Sequence, residues 1–325
     1  MSHSEAMLTV FSERRSDLLI TARQTRAEGV VALTLTDPAG AQLPAWTPGA
    51  HIDLLLDDLV RQYSLCGTPG DQHTWRIAVL LDPNGRGGSR RVHDTLQTGD
   101  QIAVRGPRNH FPLHSVPRYI FLAGGIGITP ILPMLAAADA AGRPWKLAYG
   151  GRTAASMAFC ADLLARYPGQ VRIRPQDETG LLDLAAILGR PQPGALVYCC
   201  GPAPLLDAVT GCCAGWPEGT LHLERFTPAA ATHRPSGPAF EVELAQAGLT
   251  LMVPPGRSIL DVIEAAGVPV LSSCTEGTCG TCETGVLAGV PEHRDSVLSP
   301  AEQAVADTMM ICVSRSLTPR LVLDI

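Results

Sequence analysis

Ser272-Ser273-Cys274-Thr275-Glu276-Gly277-Thr278-Cys279-Gly280-Thr281-Cys282, joined much later by Cys312, decides how this chain reads. The pattern is C-x4-C-x2-C with a distant fourth cysteine, the spacing of thiolates that meet around a [2Fe–2S] cluster. Such a centre needs sulfurs brought together by a short, bent loop. Gly277 and Gly280 let the backbone curl there and aim N–H groups at the sulfurs. The competing reading is a structural zinc site, which usually shows two tight C-x2-C pairs. Only one such pair is present, Cys279 and Cys282, so the spacing favours Cys274, Cys279, Cys282 and Cys312, the last in the strand-like Met309 to Val313, as ligands of a one-electron centre.

The remainder of the chain must supply electrons to that centre. With 325 residues it exceeds one ordinary core, so two or three domains are expected. A hydrophobic share of 46% against 17% charged residues marks a folded protein rather than a disordered one. The net charge of -6 argues against a nucleic-acid surface and suits docking to a basic patch on a protein partner. No apolar stretch reaches the roughly 18 residues of a membrane span. Met1 to Glu13 is polar and lacks the apolar core of a signal peptide. The expectation is a soluble, cytoplasmic protein without a nucleic-acid or membrane partner. Cys66, Cys160, Cys199, Cys200, Cys212 and Cys213 are then thiols, because a reducing compartment does not sustain disulfides.

The first third is β-rich. Val30 to Leu35, Ile52 to Leu56, Trp75 to Leu80 and Ala103-Val104 read as short strands between Gly and Pro turns, the texture of an antiparallel barrel. After Pro112 the texture changes. Tyr119 to Ala123, Trp145 to Tyr149, Val171 to Ile173 and Ala195 to Tyr198 are apolar strands. Helical stretches separate them, at Pro130 to Ala141, Ser156 to Tyr167 and Leu182 to Leu188. Strands alternating with helices imply a doubly wound parallel sheet. Thr227 to Pro238 reads as a linker, being rich in Pro, Ala and Ser. Beyond it, Phe240 to Leu244 and Leu249 to Val253 flank a hairpin turn, and a helix over Ser258 to Ala266 precedes the cysteine loop. The expected division is 1–113 barrel, 114–228 α/β domain, 229–238 linker and 239–325 cluster domain.

Arg61-Gln62-Tyr63-Ser64, just after a strand, combines a phosphate partner, an aromatic cover and a hydroxyl. Strand alternation places Arg61 and Tyr63 on one face and Ser64 on the other. Gly87-Gly88-Ser89 opens a helical stretch from a glycine-rich loop, where free N–H groups suit a phosphate. Gly124-Gly125-Ile126-Gly127-Ile128-Thr129-Pro130 joins an apolar strand to a helix. It is not the G-x-G-x-x-G fingerprint, yet its glycines permit close approach of a pyrophosphate. Cys199-Cys200-Gly201-Pro202 ends a later strand. Taken alone, Cys200 reads as a buried core thiol and Arg152 as a solvated loop arginine.

Together these motifs, in this order, resemble the family of phthalate dioxygenase reductase and vanillate demethylase reductase subunits along nearly the whole chain. The segment from Phe240 to Ile325 resembles a plant-type ferredoxin and implies a β-grasp fold. The resemblance implies an antiparallel β-barrel flavin domain, an α/β NAD domain and an α+β ferredoxin domain. It implies FMN rather than FAD, held by Arg61, Gln62, Tyr63, Ser64, Ala78, Val79, Gly87, Gly88 and Ser89, with Phe226 against the ring. It also implies NADH, held by Gly124, Gly125, Gly127, Thr129, Pro130, Arg152, Cys200, Gly201 and Pro202. Ser64, Thr129 and Cys200 would border the hydride path. Leu80 departs from the family, which carries a basic residue there, and leaves one phosphate contact in question. His51, His93 and His110 read as packing residues rather than acid–base groups. The implied activity is NADH-dependent delivery of single electrons to a Rieske-type terminal oxygenase by a monomeric reductase. A cytochrome P450 acceptor and a non-redox protein with a zinc-stapled tail are the alternatives.

Overall fold

The computed structural model describes residues 15–57, 59–227 and 237–325. The described residues up to Phe226 form one compact unit and those from Thr227 onward a second. Residues 229–236 of the expected linker, and the polar segment Met1 to Glu13, lie outside the described residues.

The first unit opens with an antiparallel sheet of β1 (Arg15–Ala27), β2 (Val30–Thr36), β3 (His51–Leu56), β4 (Leu59–Ser64), β5 (Trp75–Leu80) and β6 (Gln101–Arg108), in the order β4-β3-β6-β1-β2-β5. The two edge strands meet through an antiparallel bridge between Leu65 and Ile77, which rolls the sheet into a barrel. Ile52, Leu54 and Leu56 alternate into its core with Leu18, Leu33 and Trp75. The uninterrupted apolar run of β2 has a physical cause. Val31, Leu33 and Leu35 fill the barrel, while Val30 and Ala32 pack outward against residues of the following sheet. Helix α1 (Gly88–Asp94) lies against β4 and β5.

A second sheet follows, from β7 (Arg118–Gly124), β8 (Trp145–Gly151), β9 (Val171–Pro175), β10 (Ala195–Cys200) and β11 (Leu221–Glu224). Every neighbouring pair is parallel and the order is β11-β10-β7-β8-β9. Helices α2 (Ile128–Ala140), α3 (Cys160–Arg166), α4 (Gln176–Thr179), α5 (Leu184–Leu188) and α6 (Ala203–Cys212) connect the strands. The chain runs outward from β7 through β8 to β9, then returns to the other side of β7 for β10 and β11. The reversal point lies between β7 and β10, and in such sheets ligands bind beyond the strand ends at that crevice.

The second unit holds β12 (Phe240–Leu244), β13 (Leu249–Val253), α7 (Ile259–Ala265), β14 (Glu283–Ala288), β15 (Pro291–Glu292), α8 (Pro300–Val305), β16 (Thr308–Met310), β17 (Arg315–Ser316) and β18 (Arg320–Leu323). Its main sheet runs β13-β12-β18-β14-β16, with a parallel β12/β18 pair inside an otherwise antiparallel set, as in a β-grasp. Ser258 caps α7 by accepting from the Asp261 N–H, and Asp261 accepts from the Ser258 N–H in return.

Three local expectations shift, and one strand is unforeseen. Arg61 to Ser64 lie within β4 rather than after a strand. The helix expected over Ser156 to Tyr167 is a short turn at Ala154–Ser156 followed by α3, because Phe159 adopts a left-handed backbone, φ 65°, that ends any continuous helix. Cys312 lies in a turn beyond β16 rather than in a strand. The longest strand, β1, extends through a charged stretch that carries no plain strand signal. The six cysteines outside the cluster motif are free thiols. Among the described residues, no helix is long and apolar enough to cross a membrane.

Candidate active site and metal centre

At the reversal point two glycine turns interlock. A Cβ on Gly127 would lie 2.3 Å from the Cys200 carbonyl oxygen, and one on Gly124 would lie 2.7 Å from Pro202 Cδ. One on Gly201 would lie 3.0 Å from Gly124 Cα. A methyl would crowd the facing turn at all three places, hardest at Gly127 where backbone blocks it, so the turns after β7 and β10 close into one backbone-lined floor. Gly125 differs: it needs glycine for its φ of 55°, while the space beside it is open. A backbone cradle beside open space, at the start of α2, fits the pyrophosphate of a dinucleotide. Thr129 is buried in the first turn of α2 and donates from Oγ1 to the Ile126 carbonyl, 2.9 Å. Pro130 is buried beside it, and Pro202 caps α6. Arg152 is exposed at the end of β8.

Cys200 is fully buried at the end of β10, opposite Glu224 in the parallel register with β11. Its Sγ lies 3.7 Å from Glu224 Oε2. Burial pushes the Glu224 carboxyl up to about 8, so it is largely protonated at neutral pH. Burial, reinforced by Glu224, drives the Cys200 thiol well above its usual range. The thiol is therefore no nucleophile, which agrees with a packing role at the edge of the cradle. Glu224 is absent from the residues singled out in the sequence. Phe226, which the resemblance sets against the flavin ring, is 41% exposed just beyond β11.

The barrel side presents β4. Arg61 donates to the carbonyls of Val60 at 2.7 Å and Arg86 at 3.1 Å, which anchors it beside the glycine loop. A Cβ on Gly88 would lie 2.4 Å from Arg61 Cγ, so the second glycine makes room for this arginine. Gly87 caps α1 at φ 87°, and the Ser89 hydroxyl receives the Asp82 N–H at 3.0 Å, closing the loop on itself. Register places Arg61 and Tyr63 opposite Leu54 and Ile52, with Gln62 and Ser64 opposite Asp53 and His51. Burial raises the Tyr63 phenol to about 12, so it stays neutral. Gln62 Nε2 is buried without a hydrogen-bond partner, a donor left waiting for an acceptor. Such an amide, with Arg61 at the glycine loop, fits a flavin nucleotide. In β5, Val79 faces the barrel core while Ala78 packs in the seam, where β5 meets the Gly125–Gly127 turn. His93 Nε2 sits 2.9 Å from the Val79 carbonyl, and the His51 and His110 rings stack at 5.8 Å.

In the second unit the four sulfurs gather. Cys274, Cys279, Cys282 and Cys312 are all buried. Cys274 interacts with Cys279 and Cys312, and Cys312 also with Cys282. The contacts favour ionisation of Cys274, first through its neighbours Cys279 and Cys312 and then through backbone N–H donors. Those donors are Glu276 at 3.3 Å and Thr278 at 3.5 Å, and the Thr281 N–H reaches Cys279 at 3.4 Å. Among the described residues no group of three or more His, Cys, Asp or Glu side chains is already arranged around a metal-ion position. Four buried thiols at this spacing, with N–H groups turned to the sulfurs, fit a [2Fe–2S] cluster. Gly277, at φ 68°, is pressed against the segment after Cys312, since its Cβ would lie 2.6 Å from Val313 Cγ2.

The comparisons agree with this geometry. The 2Fe-2S iron-sulfur cluster binding domain family matches residues 242–317. The phthalate 4,5-dioxygenase oxygenase reductase subunit of Pseudomonas putida is 39% identical over 100% of both chains. Among solved structures, phthalate dioxygenase reductase, described as modular for electron transfer from pyridine nucleotides to [2Fe-2S], is 37% identical with a TM-score of 0.71, covering 96% of this chain and 98% of that one. An intact type IV self-sufficient cytochrome P450 monooxygenase is 40% identical with a TM-score of 0.89 over 96% of this chain, which spans 41% of that chain. With likeness running end to end through all three sheets, the chain belongs to the family of oxygenase reductase subunits that includes phthalate dioxygenase reductase.

Proposed function

We propose that this protein takes hydride from NADH onto FMN and delivers the electrons singly, through a [2Fe–2S] cluster, to a Rieske-type terminal oxygenase. One observation carries the reading: four buried, pairwise-linked thiols share a chain with a glycine cradle at the reversal point of a parallel sheet. When bound, flavin and cluster supply the conversion of a two-electron donor into one-electron steps. The chain's own residues bind and orient. Gly124, Gly125, Gly127 and Gly201 offer backbone to the dinucleotide, with Pro130, Pro202 and Arg152 at the rim. Buried Cys200 and half-buried, largely protonated Glu224 form a neutral wall beside it. Arg61, Gly87, Gly88 and Ser89 receive the flavin phosphate, Gln62 donates its spare N–H, Tyr63 and Phe226 cover the ring, and Ser64 and Thr129 border the reacting edge.

The functional division we assign is 1–113 flavin, 114–228 NAD, 229–238 linker and 239–325 ferredoxin. We place the monomer in the cytoplasm, where its six remaining thiols stay reduced. Delivery to a P450 haem is a second reading, favoured by the likeness to the self-sufficient P450. Cofactor extraction with mass measurement, followed by acceptor assays, tests both. FMN, two irons per chain and NADH-driven reduction of a Rieske oxygenase are expected. Reduction of a P450 alone would replace the first reading by the second, and a colourless zinc protein would end both.

A further inference from the structure

Phe159 combines three features. Its backbone is left-handed, φ 65° and ψ 9°, a conformation that a bulky side chain rarely adopts and that persists only where surroundings impose it. Its ring is nearly fully buried in the seam cluster that also holds Val30, Ala32, Cys66 and Ala78 of the barrel. Two barrel guanidiniums face that ring, Arg26 at 4.8 Å and Arg76 at 5.9 Å from its centroid.

The same contact is tied on both sides. Arg26 also pairs with Asp162 in α3, and the Glu28 N–H donates to the Ala155 carbonyl at 2.8 Å. Arg76 reaches the Cys66 carbonyl at 3.2 Å, two residues beyond Ser64. Toward the nucleotide side, Met157 packs on Gly151, where a Cβ would lie 2.3 Å from Met157 Cγ. Gly151 adjoins Arg152. The chain from 151 to 162 thus leaves the nucleotide strand β8 and crosses to the barrel, where the Phe159 ring sits between the Ala155 and Asp162 ties.

We propose that Phe159, clasped by Arg26 and Arg76, is a positioning residue that fixes the end of β8, with Arg152, against the flavin-binding barrel. The inference rests on the proposed function, because its consequence is the alignment of nicotinamide with flavin. Small misalignments of reacting groups cost rate steeply, on the order of a hundredfold for about 1 Å.

Phe159→Gly removes the ring yet suits the left-handed backbone, so it spares the turn itself. In the holoprotein it is expected to keep FMN and iron content. NADH-driven flavin bleaching at saturating NADH should fall by about tenfold or more. Amide exchange at Glu28 should accelerate by a similar factor. Phe159→Tyr, which retains the ring, should restore both. Wild-type bleaching and Glu28 protection in the glycine variant would overturn the proposal. So would a rate loss that merely tracks lost flavin. A wild-type protein that NADH fails to bleach would instead overturn the functional reading, with Glu28 exchange still deciding the contact.

Discussion

The cluster loop and the nucleotide cradle solve the same problem, holding a cofactor with backbone and few side chains, at opposite ranges in sequence. Three of the four sulfurs sit within nine residues, Cys274 to Cys282, and N–H donors to Cys274 and Cys279 come from that same loop. The cradle joins Gly124 and Gly127 to Cys200 and Gly201, more than seventy residues apart, and exists only once β7 and β10 pair. A local site can be read from spacing. A site made by strand pairing needs the topology first.

The sharpest way to separate the two is to remove one ligand from the local site. Cys282→Ser should abolish electron delivery to the oxygenase while NADH-dependent reduction of an artificial dye by the flavin continues. Oxygenase reduction that survived loss of the iron absorbance would break the proposed route through the cluster. The converse change targets the cradle. Gly127→Ala sets a methyl against a backbone oxygen that cannot swing aside, so the interlocked turns must part. NADH-driven flavin bleaching should drop about a hundredfold, with iron content unchanged. Iron loss in that variant would show that the two sites do not stand independently.

The same contrast explains what the sequence disclosed. The strands of the parallel sheet were legible because a strand covered on both faces is a continuous apolar run, as in Tyr119 to Ala123. The strand β1 was not, because one side of Arg15–Ala27 is exposed and carries arginine, glutamine and threonine. The break at Phe159 has no local signal: nothing in Ala158-Phe159-Cys160 favours a left-handed residue, and packing between Arg26 and Arg76 accompanies it. Glu224 escaped for a related reason. A glutamate beside Arg225 reads as a surface pair, and only the parallel register sets it against Cys200. Alternation in Leu221-His222-Leu223-Glu224 held the clue, since His222 on the same face stacks on Tyr198 at 4.7 Å.

Glu224 also permits the subtlest test, one confined to the first unit. Its carboxyl ionises near 4.5 in an unfolded chain and near 8 when folded. Below pH 4.5 both states hold the proton and the group has no effect on the pH dependence of folding. Between 4.5 and 8 the unfolded chain has released its proton while the folded protein retains it, so stability declines as pH rises and levels off above about 8. Glu224→Gln removes the titration. The stability of the variant relative to wild type should therefore climb across that window, by on the order of 2 kcal/mol, and stay flat on either side. All four tryptophans, Trp46, Trp75, Trp145 and Trp216, lie in the first unit, so urea melts followed by their emission report that unit alone. A difference that stays constant from pH 4 to 9 would mean that solvent holds the carboxyl at its ordinary value, and the neutral wall at Cys200 would fall with it.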